Sequence, residues 1–349
     1  MPVAVRLAGL ALAAWLLAPV AAAPAHEPRL TVDRARVAAA ITCYGAAGAR
    51  GSAPILVVPG TGSDGSQVYA LGKGAFNAIG RRPCTVSLPD RATADLQVSV
   101  QYVVHAIRVL SARSRRRIGV AGISQGGLLA RVALTYWPSL RRRVADVVTA
   151  AATHHGTRGT PDDAARCLVD GCPPAVWQQA AGSRLMRALN DGRDETPGRV
   201  AYTTVRSASD DVVQPQTGRA PTSALRGASN ILIQDVCPGR TTGHIGTAVD
   251  SVTIAALRDA LTHRGPARAS RLPDDVCAHP YGTGLDEQRT SAFLAIAPEL
   301  LARGVRTVPV MRAEPRVRTW MRTRSSDSPD QPGGDSRGRG ATKRRAAHS

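Results

Sequence analysis

Four short stretches of the chain carry side chains able to do covalent chemistry together: Gly122-Ile123-Ser124-Gln125-Gly126, Ser207-Ala208-Ser209-Asp210-Asp211, Thr241-Thr242-Gly243-His244 and Pro59-Gly60-Thr61-Gly62-Ser63. A serine hydroxyl is a weak nucleophile at neutral pH. It needs an imidazole to take its proton, and the imidazole needs a carboxylate to fix its tautomer and stabilise its cation. The glycines two residues either side of Ser124 are what a sharp strand-to-helix turn demands, because a side chain at either place would strike the adjoining strand or helix. Acyl transfer through a serine ester is the chemistry such a set performs. The negative charge that develops on the attacked carbonyl calls for hydrogen-bond donors, expected from the backbone N–H of Gln125 and from the N–H and hydroxyl of Thr61.

Chain order selects among the partners. Where a serine sits on this kind of turn, an Asp or Glu follows a later strand and the His follows the next. Asp210, with Asp211 as the alternative, and His244 fill those places. His26 lies at the expected mature terminus, His105 within a helical pattern, His263 and His279 late, and His348 in the tail. The pair His154-His155 is the rival base, but it precedes every candidate carboxylate strand and so reverses the order. The same pair, with Asp162 and Asp163 upstream of Cys167 and Cys172, matches no standard zinc spacing, so neither a metal nor a cofactor is assigned. The loop Pro59–Ser63 lacks the lysine of a phosphate-binding loop and the spacing of a dinucleotide site. A second Gly-x-Ser-x-Gly match at Gly334–Gly338 has no strand before it and no apolar helix after it.

The elements that must position these residues alternate short apolar runs with longer helical patterns, the mark of a mostly parallel sheet flanked by helices. Strands are expected at Ile55–Pro59, Thr85–Leu88, Ile118–Ile123, Val144–Ala151, Val200–Arg206 and Asn230–Val236. Helices are expected over Asp95–Ala112, where Val100, Val103, Val104, Ile107 and Leu110 recur at helical spacing, and over Leu128–Tyr136. The strand Ile118–Ile123 ends at the Ser124 turn.

Composition narrows the class further. The chain has 349 residues, 43% of them apolar, and its 33 Gly and 24 Pro follow no three-residue period, which excludes collagen and argues against disorder throughout. Its 45 Lys+Arg outnumber 26 Asp+Glu for a net charge of +19, of which the 10 basic and 4 acidic residues from Arg312 to Ser349 supply +6. Runs such as Arg115-Arg116-Arg117 and Arg141-Arg142-Arg143 lack the interleaved aromatics of base-stacking surfaces, so a solvated basic face is expected and no specific nucleic acid. One Arg6, the apolar run Leu7–Val20 and Ala23-Pro24-Ala25 read as a secretory signal over residues 1–25, with an uncleaved anchor as the alternative. Residues 26–324 form the expected folded domain and 325–349 a basic disordered tail. Export places Cys43, Cys84, Cys167, Cys172, Cys237 and Cys277 in an oxidising compartment, so three disulfides are expected, with only Cys167 and Cys172 near enough in sequence to suggest their own pairing.

Beyond single motifs, the blocks Pro54–Gly62, Ser124-Gln125-Gly126-Gly127-Leu128, Val176-Trp177-Gln178-Gln179, Ser207–Asp210, Val212-Val213-Gln214-Pro215-Gln216 and the Cys237 to His244 region, in register from about Thr42 to about Arg322, resemble the secreted lipase B family of Candida antarctica and its bacterial relatives. The resemblance implies an α/β-hydrolase fold with a lid insert and a metal-independent serine esterase or lipase acting as a monomer on lipid or small esters. It implies Ser124, Asp210 and His244 as triad, Thr61 and Gln125 as oxyanion hole, and Gln179 in the acyl channel. It also pairs Cys43 with Cys84 and Cys237 with Cys277. The helical stretch Leu285–Val305 would wall the pocket mouth and meet lipid. Three departures stand out. Ile123 replaces a tryptophan that bounds a small alcohol pocket, which suggests a roomier one. Thr153 replaces an acidic residue of the acyl pocket. The insert Arg158–Pro174 brings Cys167 and Cys172 where the family has a short mobile helix, suggesting a stapled lid, while the family's C-terminal cysteine pair is absent. A secreted amidase or peptidase, and an envelope-binding protein on a disabled scaffold, are the competing readings.

Overall fold

The computed structural model describes residues 27–45, 54–159 and 161–322, so the expected signal and tail lie outside the described residues. Seven strands form one sheet in the order β1-β3-β2-β4-β5-β6-β7. They are β1 (Ile41–Cys43), β2 (Ile55–Val58), β3 (Pro83–Val86), β4 (Ile118–Ile123), β5 (Val144–Ala150), β6 (Ala201–Arg206) and β7 (Ser229–Leu232). Only β1 runs antiparallel, against β3. Every residue of β2 and β3 is buried, as parallel strands covered on both faces require.

Two helical layers do the covering. On one face the helices Leu96–Ser114 and Gln125–Tyr136 pack Val100, Val103, Val104, Ile107, Leu110, Leu128 and Leu129 against Leu56, Val58 and Val120. On the other, Gly65–Ile79 and Ser251–Thr262 bring Phe76, Val252, Ala256 and Leu257 against Ile55, Val57, Ala121 and Val148. Each large apolar side chain so enclosed contributes roughly 1.5–3 kcal/mol. Local chemistry starts these helices where they begin. Asp95 accepts from Gln97 N at 2.9 Å, and Asp64 and Gln67 form a reciprocal capping box.

The structure corrects three expectations about strands. The run Asn230–Val236 is not strand throughout: β7 ends at Leu232 and Ile233–Val236 is a short helix. A brief buried apolar run does not distinguish the two by periodicity, and Gln234, bonded to Ala208 N and to Arg240 O, turns the chain here. The strand expected at Thr85–Leu88 begins two residues earlier, at Pro83, and Leu88 instead caps a one-turn helix. β1 was not expected at all. Three residues are too few to show alternation, and it is held by pairing with β3, where Cys43 lies directly opposite Cys84.

All three disulfides form: Cys43–Cys84, Cys167–Cys172 and Cys237–Cys277. The insert holds a helix, Pro161–Asp170, and Cys172 bonds reciprocally with the Met311 backbone at 3.0 and 2.9 Å. The helix Glu287–Arg306 leans over the loop after β2, with Leu301 and Val305 within 3.5 Å of where a side chain on Gly62 would project.

Candidate active site

The carboxyl ends of β2, β4, β6 and β7 bring the chemical residues together. Ser124 sits between β4 and the helix Gln125–Tyr136 at φ 53°, a left-handed conformation strained for a residue with a Cβ. Its neighbours explain the glycines: a Cβ on Gly126 would stand 2.1 Å from Val58 O, and one on Gly122 would stand 2.5 Å from Gly127 N. The turn thereby lifts the Ser124 hydroxyl to the end of the sheet.

His244 opens a short helix beyond β7, and its Nε2 lies 3.0 Å from Ser124 Oγ. Its Nδ1 lies 2.9 Å from Asp210 Oδ2 and 3.2 Å from Oδ1. Asp210 is 2% exposed and accepts further bonds from Val212 N at 2.9 Å, Val213 N at 2.7 Å and Gln216 Nε2 at 3.3 Å. These donors fix the plane of the carboxylate, so the imidazole has one direction in which to point. Asp211, the alternative carboxylate, instead accepts the backbone N–H of His244 at 2.8 Å. Ser207 and Ser209 both donate to Thr242 O, at 2.8 and 3.0 Å, tying the two loops together.

Across from Ser124, the side chains of Thr61, Gln125, Thr153 and Gln179 form one hydrogen-bonded chain. Thr153 Oγ1 donates to Gln179 Oε1 at 2.8 Å, and Gln179 Nε2 donates to Thr61 Oγ1 at 2.9 Å and to Gln125 Oε1 at 3.0 Å. Thr61 Oγ1 donates in turn to Gln125 Oε1 at 2.6 Å. The backbone N–H of Gln125 heads the helix, where first-turn donors lack intrahelical partners. The Thr61 loop abuts Ser124, since a Cβ on Gly60 would stand 3.2 Å from Ser124 Cβ. Arg91, which no motif singled out, clamps this loop through Gly62 O at 2.8 Å and Gln67 Oε1 at 3.0 Å. Ile123 borders an apolar cavity of about 60 Å³ that runs between the sheet and the helices Gly65–Ile79 and Ser251–Thr262, past Leu71, Phe76, Ala248 and Val249.

The rival histidines lie elsewhere. His154 is fully enclosed beneath the Gln125–Tyr136 helix, its Nε2 3.3 Å from Thr149 Oγ1, and burial, with Arg131 and His155 adding repulsion, holds it neutral well below its ordinary range. His155 faces Thr222 O at 3.0 Å and Glu195 at 3.3 Å. Neither bonds to Ser124. Among the described residues no group of His, Cys, Asp and Glu is placed to hold a metal ion.

A mostly parallel sheet covered on both faces, with a strained serine after a central strand, a histidine after the last strand and a carboxylate between them in the chain, is the architecture of the α/β-hydrolases. No model of a known protein family matches the chain. Lipase B from Pseudozyma antarctica is 33% identical over 304 residues, covering 85% of this chain and 87% of that protein. The crystal structure of Aspergillus fumigatus lipase B is similar with a TM-score of 0.76 at 28% identity, covering 85% of this chain and 73% of that one. The chain belongs to the lipase B family and is a carboxylic ester hydrolase.

Proposed function

We propose that the protein is a secreted, metal-independent lipase or esterase that cleaves lipid esters, acylglycerols among them, through an acyl-enzyme on Ser124. The observation that carries this reading is the succession Ser124 Oγ, His244 Nε2, His244 Nδ1, Asp210 Oδ2, with contacts of 3.0 and 2.9 Å. In this mechanism His244 takes the Ser124 proton as the hydroxyl oxygen bonds to the ester carbonyl carbon, and Asp210 steadies the imidazolium. The N–H of Gln125 and the N–H and hydroxyl of Thr61 meet the oxyanion. His244 returns the proton to the departing alkoxide. Water, deprotonated by the same imidazole, then releases the acid and restores Ser124.

Lipid as the substrate class is supported by Leu168 and Val169, each 68% exposed, and by Val310 and Met311 beside them. Ile296 and Leu300 add exposed apolar surface on the helix Glu287–Arg306, whose Leu301 and Val305 lean over the Thr61 loop. Ile123, smaller than the tryptophan of the family and next to Ser124, supports an alcohol site that accepts bulkier groups, and equal rejection of bulky and small secondary alcohols in kinetic assays would contradict it. Three disulfides and the signal-like start support export.

Labelling by a fluorophosphonate, abolished in Ser124→Ala, tests the nucleophile. Matched ester and amide substrates test the reaction: hydrolysis of the ester alone supports the assignment, and faster cleavage of the amide overturns it.

A further inference from the structure

The edge of the sheet opposite the Ser124 site is lined by arginine. Arg82 immediately precedes β3, the run Arg115–Arg117 precedes β4, the run Arg141–Arg143 precedes β5, and Arg199 lies two residues before β6. Strand register aligns these starts: Ile55 pairs with both Pro83 and Gly119, Ile118 with Val144, and Asp146 with Ala201. Adjacent strands lie about 4.8 Å apart, so the arginines span roughly 20 Å along one edge. The length of β4 puts them roughly 20 Å from Ser124.

Part of this array is built into the fold. Arg117 donates to Val144 O at 2.6 Å and to Arg199 O at 2.7 Å, crossing three strand starts. Arg141 donates to Leu134 O and Thr135 O, at 2.9 and 3.1 Å, at the end of the helix Gln125–Tyr136, and Arg143 donates to Ser111 Oγ at 3.1 Å. Among the described residues none of these eight arginines forms an ion pair. The acids nearby include Asp146, which faces Arg117 and Arg81, Asp194, close to Tyr202 as Arg141 is, and Glu27, which is bonded to Ser139 in the turn that carries Arg141 and Arg142 and is paired with Arg108. Arg82, Arg116, Arg142 and Arg199 are exposed and their guanidinium groups make no hydrogen bond among the described residues. Like charges held together with fewer carboxylates than guanidinium groups raise each other's energy, and a bound polyanion relieves this by displacing counterions.

The surface also limits what the polyanion can be. The large exposed apolar side chains lie elsewhere, in the insert, the loop after β6, the helix Glu287–Arg306 and Val310-Met311. Among the described residues, this edge therefore has no large apolar side chain to insert into a bilayer. No aromatic interrupts the runs, and Tyr44, next in the chain to the Gly45 that Arg82 packs on, has one ring face taken by Tyr69 with centroids 3.4 Å apart, so the runs offer no row of rings for successive bases. Guanidinium groups match phosphate oxygens bidentately. We propose that the amino-terminal edge of the sheet is a docking surface for a linear phosphate polymer, held by ionic contacts while the Ser124 mouth faces away from it.

The test uses the full chain and long-chain polyphosphate as probe, with binding followed by anisotropy. With about six phosphate contacts, affinity is expected to fall roughly 10³-fold between about 50 and 200 mM salt. The variant Arg82→Gln/Arg116→Gln/Arg142→Gln/Arg199→Gln is expected to bind at least about tenfold more weakly at the lower salt, with a salt slope reduced by about 3 to 4, and to hydrolyse a soluble ester at the parent rate. The tail variant Arg339→Gln/Lys343→Gln/Arg344→Gln/Arg345→Gln removes the same charge and should stay within about threefold of the parent. The proposal fails if the tail variant loses binding and the edge variant keeps it, if the parent shows no binding, or if it prefers phosphatidylglycerol vesicles or duplex DNA to polyphosphate.

Discussion

The Thr61 hydroxyl donates to Gln125 Oε1 and accepts from Gln179 Nε2, so in the proposed mechanism it must turn before it reaches a carbonyl oxygen. The Gln179 bond to Thr61 Oγ1 would hold that oxygen in place during the turn. Thr61→Val, which keeps the N–H and loses the hydroxyl, is expected to lower kcat by about 10²-fold with KM little changed, and Thr61→Ser to recover most of it; steady-state kinetics on a soluble ester reads both. Gln179→Leu is expected to cost about tenfold in kcat, because a positioned donor is worth more than a free one. That Ser124, Asp210, His244, Thr61 and Gln125 would lie together was legible because the roles proposed for them need particular residue types in a particular chain order. Arg91 and the backbone-anchoring role of Asp211 were not. Arg91 lies in a turn with three successive residues at positive φ, Asp90, Arg91 and Ala92, which carries no glycine to announce it.

Two elements stand on contacts that a single substitution removes. At the Ser124 turn, Gly126→Ala would drive a methyl group into the Val58 carbonyl, and neither backbone can yield. The expected result is a loss of roughly 3 kcal/mol or more and no fluorophosphonate labelling, measured by urea unfolding and gel fluorescence. The disulfides divide by loop length. Cys43→Ser/Cys84→Ser opens a separation of 41 residues and should cost roughly 4 kcal/mol on the chain-entropy account, whereas Cys167→Ser/Cys172→Ser opens one of 5 and should cost roughly 2. The second variant is expected to lose activity on emulsified triglyceride relative to a soluble ester, and an unchanged ratio would make the bridge incidental to the interface. Four of the strands were legible to within one residue because their apolar runs are bounded by turn residues. β1 and the end of β7 were not, since tertiary pairing and side-chain bonds decide them rather than local pattern.

At the scale of the whole molecule, charge leaves a thermodynamic trace. Asp146, at the arginine edge, has its pKa pushed up to about 6 by burial, against the pull of Arg117 and Arg81. A folded-state value above the unfolded 3.8 means that the fold binds this proton more tightly than the unfolded chain does. Stability from this group is therefore present at low pH, falls as pH rises from about 4 to about 6, and is flat above. Asp146→Asn should remove that decline and raise unfolding free energy at pH 8 by on the order of 1 kcal/mol, less than the shift alone would give because water and two guanidinium groups reach the carboxylate. Chemical denaturation across this pH range reads the effect. Overall charge was visible in the composition, but its placement was not, because residues 82, 116, 142 and 199 become neighbours only when parallel strands bring their starting ends into line.

That alignment has a practical corollary. A cation-exchange bead should grip the molecule by its arginine end in one orientation, leaving the opposite end open to the flowing phase. An immobilised bed made by simple adsorption would keep turning over ester, and a salt step would release the enzyme intact.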